Sequence, residues 1–166
     1  RTHPDFYATS VMNMKLGGNF SGDVNMVLRE EKGFTYGART GFSGSKLPGK
    51  FTASSGVRSN TTEESVNIFK NLMSAYREPI SGEDLAFTKN VTLKSNARRF
   101  ETLGALRGMI SNIAIYGLPV NYIEEQEDIV REMSVESHNT LAKKYIRPDE
   151  MIYLVVGDAA TQLDGM

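Results

Sequence analysis

The chain contains no cysteine and only two histidines among its 166 residues. Without cysteine, disulfides and thiolate metal sites are excluded. The histidines, His3 and His138, stand 135 positions apart, and neither His-x-x-Glu-His nor His-Glu-x-x-His occurs. Zinc takes three or four protein ligands, so both are expected to be structural: His3 near a terminus, His138 on a helix surface. Charge of one sign is not in excess either. Lys and Arg number 19 against 20 Asp and Glu, and the longest basic clusters are the pairs Arg98-Arg99 and Lys143-Lys144. That balance argues against a phosphate-backbone partner, which wants a clustered basic surface. No apolar run approaches the roughly 20 residues of a membrane span, and no secretory signal is visible. No GxGxxG or Walker pattern is present. The chain begins at Arg1 and ends on TQLDGM. The expectation is a piece of a longer protein, with any targeting signal outside it.

What is there suits a globular protein. Hydrophobic residues make up 40% and charged residues 23%, and the length is enough for one domain with a real core. Four blocks follow one another. Over 4–32, Tyr7, Val11, Met14 and Leu16 give helical spacing. Gly17-Gly18 interrupts it, and Phe20, Val24, Val27 and Leu28 resume it. Asp5 is placed to cap the first helix, and Ser21 or Asp23 to start the second. Gly33 suits the left-handed residue after Lys32, with Phe34 as its apolar partner. The second block predicts a hairpin. Phe34, Tyr36, Ala38, Thr40 and Phe42 alternate with polar or small residues, SGSKLPGK connects, and Phe51, Ala53, Ser55 and Val57 alternate again.

The third block, 61–145, predicts helices. Thr61 and Glu64 have capping-box spacing, and Val66, Phe69, Leu72, Met73 and Tyr76 form an apolar stripe. Pro79 and Gly82 mark a break before a helix carrying Leu85, Val91 and Leu93. Phe100, Leu103, Leu106, Ile110 and Ile113 form a further stripe ended by Gly117 and Pro119. Two shorter amphipathic helices cover 122–133 and 134–145. The fourth block, MIYLVV at 151–156, is short and apolar and predicts a buried strand. The order implies an α+β fold, with helices covering one face of a mainly antiparallel sheet. Glu30-Glu31, Glu124-Glu125 and Glu127-Asp128 lie on amphipathic helices and read as solvated faces rather than acid–base pairs.

Arg29 and Tyr36 carry the chemistry of most interest. They sit seven residues apart across a helix-to-strand turn, an arrangement able to aim a guanidinium and a phenol at one point. A structural reading competes. Arg29 near a helix C-terminus gains roughly 0.3–1 kcal/mol from the helix dipole, and Tyr36 shares its alternation face with Phe34 and Phe42, as a core tyrosine would.

LGGNF followed by LREEKGFTYGA resembles the second, non-zinc half of insulinase/pitrilysin-type zinc peptidases, the inverted zincins. The TTEES helix start, the GLPVNY turn and the closing YIRPDEMIYLVVGD are weaker but fall in the order that family shows. The resemblance implies a 1–166 domain from the non-zinc half of a larger peptidase, lacking its first sheet strand. It implies that Arg29 and Tyr36 hold the substrate carbonyl and the developing oxyanion in trans, at a zinc site on a homologous domain in the same polypeptide or a partner subunit. No cofactor and no metal ligand is expected in this chain, which would be inactive alone. Peptide is the implied substrate, with no nucleic acid and no membrane span. A soluble protein of the bacterial cytoplasm or periplasm is compatible with this, and cysteine usage does not choose between them. One departure stands out: the family's Ser-Arg-Leu step reads Ser21-Gly22-Asp23-Val24 here, inverting a charge. Two alternatives remain at this point: a non-catalytic structural homologue of the same fold, and an unrelated α+β binding module.

Overall fold

Helix α1 (Phe6–Asn13) forms where the apolar spacing predicts it and buries Val11 and Met12. It runs into a π-helical turn, Met14–Gly18, that ends at the Gly-Gly step. Chain direction then changes, and α2 (Asp23–Asn25) continues as a second π-helical stretch, Met26–Glu31, burying Val24 and Leu28. Gly17 is required by proximity. A Cβ there would sit 2.6 Å from Val24 Cγ2 and 2.8 Å from the backbone nitrogen of Thr40, so the step lies directly against the sheet. Gly33 ends this segment with φ +62°, the left-handed conformation that glycine adopts without steric cost. The computed structural model describes residues 1–158, the side chains of Ala97 and Arg98 apart, and the closing TQLDGM lies outside them.

Strands β1 (Thr35–Phe42) and β2 (Phe51–Val57) form the expected antiparallel hairpin. Its register pairs Phe42 with Phe51, Thr40 with Ala53 and Ala38 with Ser55. Helices α3 (Thr62–Ala75), α4 (Gly82–Ala97), α5 (Leu103–Tyr116), α6 (Tyr122–Glu132) and α7 (Val135–Tyr145) follow. The architecture is α+β, with helices on one face of the hairpin. Met12, Leu16, Val24, Leu28, Ala38, Met73, Tyr76, Ala142 and Ile146 form the main core. A second cluster joins Val11 to Leu85, Val130 and Met133.

Several expectations are corrected. Asp5 does not cap α1: its carboxylate accepts from Lys144 Nζ at 2.7 Å and Tyr145 Oη at 2.6 Å, tying the start of α1 to the end of α7. Those two hydrogen bonds hold the carboxyl below its usual pKa. The capping box at Thr61 does not form, because Thr61 Oγ1 donates to the Arg58 carbonyl and Glu64 pairs with Lys32 at 2.7 Å. A capping box is found instead at Ser134 and Ser137. Segment 151–156 is neither strand nor buried. It has no ladder partner among the described residues, an open cleft of about 330 Å³ lies between it and β2, and Ile152, Leu154 and Val156 are exposed. The stripe on α5 is helical as predicted, yet α5 buries no residue fully, and Leu103 and Ile110 face outward.

His138 is not on a surface. It is fully buried, with Nε2 3.2 Å from the Tyr76 hydroxyl, which itself donates to the Met12 carbonyl at 2.6 Å. The reason is spacing: His138, Ala142 and Ile146 fall four apart, on the face of α7 and its continuation that packs inward.

Candidate functional site

Tyr36 owes its position to a β-bulge. The register runs from Thr35↔Val57 directly to Ala38↔Ser55, so Tyr36 and Gly37 together oppose Gly56. A bulge breaks the two-residue period. The alternation therefore places Ala38 and Thr40 in the core, as expected, but turns Tyr36 out: it is 99% exposed. Gly56 carries no side chain to cover it. Thr35 fastens the bulge, its Oγ1 accepting from Gly37 N at 3.0 Å and donating to the Gly56 carbonyl at 2.7 Å. The core-tyrosine reading of Tyr36 is thereby overturned.

Arg29 lies in the π-helical stretch after α2 and is partly exposed. Its guanidinium sits over the ring of Phe20, 4.6 Å from the centroid, and its Nε is 3.4 Å from Glu30 Oε1. A cation–π contact of this kind orients a guanidinium over the ring face. Tyr36 lines an open cleft of about 610 Å³ with Gly17, Gly18, Phe20, Arg39 and Ser54. Phe20 is thus the shared neighbour. It supports Arg29 and forms part of the wall beside Tyr36, while no hydrogen bond or ring contact joins Arg29 to Tyr36.

Two asparagines that the sequence reading passed over hold this region together. Asn13, at the end of α1, donates from Nδ2 to the Thr40 carbonyl at 2.9 Å and accepts from Thr40 Oγ1 at 2.6 Å. Asn25 donates from Nδ2 to the Phe20 carbonyl at 2.8 Å and accepts the Ala38 N–H on Oδ1 at 3.0 Å. Each is 3% exposed. The signal available in sequence was a polar residue inside an apolar helical stretch, which alone does not reveal its partner. The charge inversion at Asp23 is neutralised locally: Asp23 pairs with Lys15 at 2.8 Å, and Lys15 also reaches Asp84 at 3.4 Å. Burial works against the Lys15 cation, but the two carboxylates outweigh it and raise its pKa.

Among the described residues, no group of three or more His, Cys, Asp or Glu side chains is placed to hold a metal ion. His3 accepts from the Asp5 N–H, and His138 is buried against Tyr76. The cleft beside Tyr36 is lined by the Tyr36 phenol and the Arg39 guanidinium.

The sequence profile of the peptidase M16 inactive domain matches residues 1–92, a stretch that holds the Gly-Gly step, Arg29, Tyr36 and the whole hairpin. The non-peptidase homolog YmxG of Helicobacter pylori is 22% identical over 155 residues, which cover 93% of this chain and 36% of that protein. A crystal structure of a peptidase M16 inactive domain from Pseudomonas fluorescens is similar with a TM-score of 0.81 at 24% identity, over 90% of this chain and 36% of that one. The periplasmic protease PqqL of Escherichia coli is similar with a TM-score of 0.65 at 18% identity, over 84% of this chain and 16% of that one. At these identities the two structures establish the fold. The chain spans about a third of the length of the first two relatives, 36% in each case.

Proposed function

We propose, from the premise that this chain belongs to the peptidase M16 inactive-domain family, that it is the second-half domain of a zinc-dependent metallopeptidase. In this reading it walls a peptide-holding chamber and supplies Arg29 and Tyr36 to a zinc-bearing homologous domain, in the same polypeptide or a partner subunit. The observation that carries the proposal is the exposure of Tyr36. A bulge tied by Thr35 presents the whole phenol to solvent, which serves no packing purpose and suits a group that meets its partner from another domain. A phenol donates one hydrogen bond at neutral pH, and a guanidinium offers fixed donors that stay charged. Together they suit the substrate carbonyl and the negative oxygen that develops on it. The metal and the water it activates belong to the other domain.

The test is Tyr36→Phe in the full-length protein assembled with its zinc-bearing half. Loss of a donor used only in the transition state lowers kcat by roughly 100-fold with KM little changed. An unchanged kcat with intact folding would sink the catalytic role. It would favour the non-catalytic homologue instead, a reading that gains some support from the name of the Helicobacter pylori relative.

A further inference from the structure

We infer that Asn25 is a positioning residue that fixes Arg29 and Tyr36 relative to one another, an inference that rests on the proposed role of that pair. No hydrogen bond or ring contact joins the two groups directly. They are joined through one side chain. Arg29 rests on the Phe20 ring, 4.6 Å from its centroid. The carbonyl of that same Phe20 accepts from Asn25 Nδ2 at 2.8 Å. Asn25 Oδ1 accepts the N–H of Ala38 at 3.0 Å, the first residue to regain regular pairing after the bulge that carries Tyr36. The link therefore runs from guanidinium to ring, to loop carbonyl, to carboxamide, to the end of the bulge.

The chemistry requires a carboxamide. One end must donate to a carbonyl and the other must accept from an N–H, and both ends are spoken for, which also fixes the orientation of the amide. A carboxylate offers acceptors alone, so aspartate would keep the Ala38 contact and repel the Phe20 carbonyl. At 3% exposure, no water replaces either bond readily.

A neighbouring strut is expected to keep the fold standing when this link is lost. Asn13 holds Thr40 by two hydrogen bonds of its own, pinning the regular part of β1 to α1. Asn25 acts one step nearer the bulge. Its removal frees the loop that bears Phe20 and the segment that bears Tyr36, while the rest of the hairpin stays docked.

The experiment compares Asn25→Leu and Asn25→Asp in the full-length protein with its zinc-bearing half, reading amide hydrogen exchange together with kcat and KM. In Asn25→Leu, the amide of Ala38 and those of the 19–22 loop exchange about tenfold faster or more, as expected when a buried hydrogen bond is lost, while α3 and α7 are unchanged. In Asn25→Asp, Ala38 stays protected and only the loop loosens. Turnover in Asn25→Leu drops about tenfold through kcat with KM within about twofold, and adding Tyr36→Phe costs less than it does alone, because residues that act as a unit are non-additive. Unchanged exchange at both segments, or a uniform rise across the chain, overturns the inference. If Tyr36→Phe alone is silent, the catalytic reading of the pair fails, and the exchange pattern by itself decides whether Asn25 links the two elements.

Discussion

His138 shows how a single residue's surroundings set a measurable property. Its Nε2 faces the Tyr76 oxygen, and the Tyr76 proton is already given to the Met12 carbonyl, so Nε2 carries the proton of that contact and donates it to the Tyr76 oxygen. Its Nδ1 has no partner among the described residues. Burial lowers its pKa from 6.5, with a hydrogen bond to the Met12 backbone opposing in part. The unfolded chain therefore binds this proton more readily than the folded one. Stability from this site is complete above the unfolded pKa and is lost as pH falls below it. Urea midpoints of the full-length protein are expected to decline between about pH 7 and pH 5, and His138→Gln is expected to flatten that slope. An identical slope in the variant would assign it elsewhere. Asp5 acts in a separate window: its lowered pKa contributes stability above the ordinary carboxyl range, lost only at more acid pH.

At the scale of elements, the two glycines that frame the segment from the Gly-Gly step to β1 differ in what they tolerate. Gly33 has φ +62° and open space where a Cβ would go. Gly33→Ala is expected to cost about 1 kcal/mol, purely from backbone conformation. At Gly17 the obstacle is steric, including the backbone of Thr40 at 2.8 Å. Gly17→Ala is expected to cost about 1–3 kcal/mol or more, by forcing α1 and β1 apart. Chemical denaturation of the two variants checks the order, and equal costs would contradict it. The same contrast explains how legible this region is. Gly33, the hairpin and its connection follow from short-range chemistry that spacing reports. The bulge at Tyr36–Gly37 does not, because it depends on Thr35 reaching Gly56 and on Asn25 reaching Ala38, residues distant along the chain.

Over the whole molecule, stability resides in the helix–hairpin core and not in α5. A two-stranded sheet is marginal by itself, so β1 and β2 depend on Met12, Leu16, Leu28 and Met73, each with no exposed surface. Met12→Ala is expected to cost about 2–5 kcal/mol. Ile110→Lys, on a helix face where that residue is 68% exposed, is expected to fall within about 0.5 kcal/mol of wild type. Denaturation midpoints of both variants in the full-length protein test this. A large loss from Ile110→Lys would mean that another part of that protein covers this face of α5.

Local pattern alone was enough to place the hairpin, the helices around it and the glycine after Lys32, and the LREEKGFTYGA string, by its resemblance to a known family, pointed to Arg29 and Tyr36. Each of these depends on residues a few positions apart, whose backbone preferences and spacing are written in the chain. Only the folded structure decided that Tyr36 faces solvent, that His138 is interior, that 151–156 has no ladder partner among the described residues and that Asn25 joins the Phe20 carbonyl to the Ala38 N–H. Those outcomes are set by contacts between distant segments. Burial and strand pairing are properties of what packs against a residue, and the local sequence does not contain its neighbours.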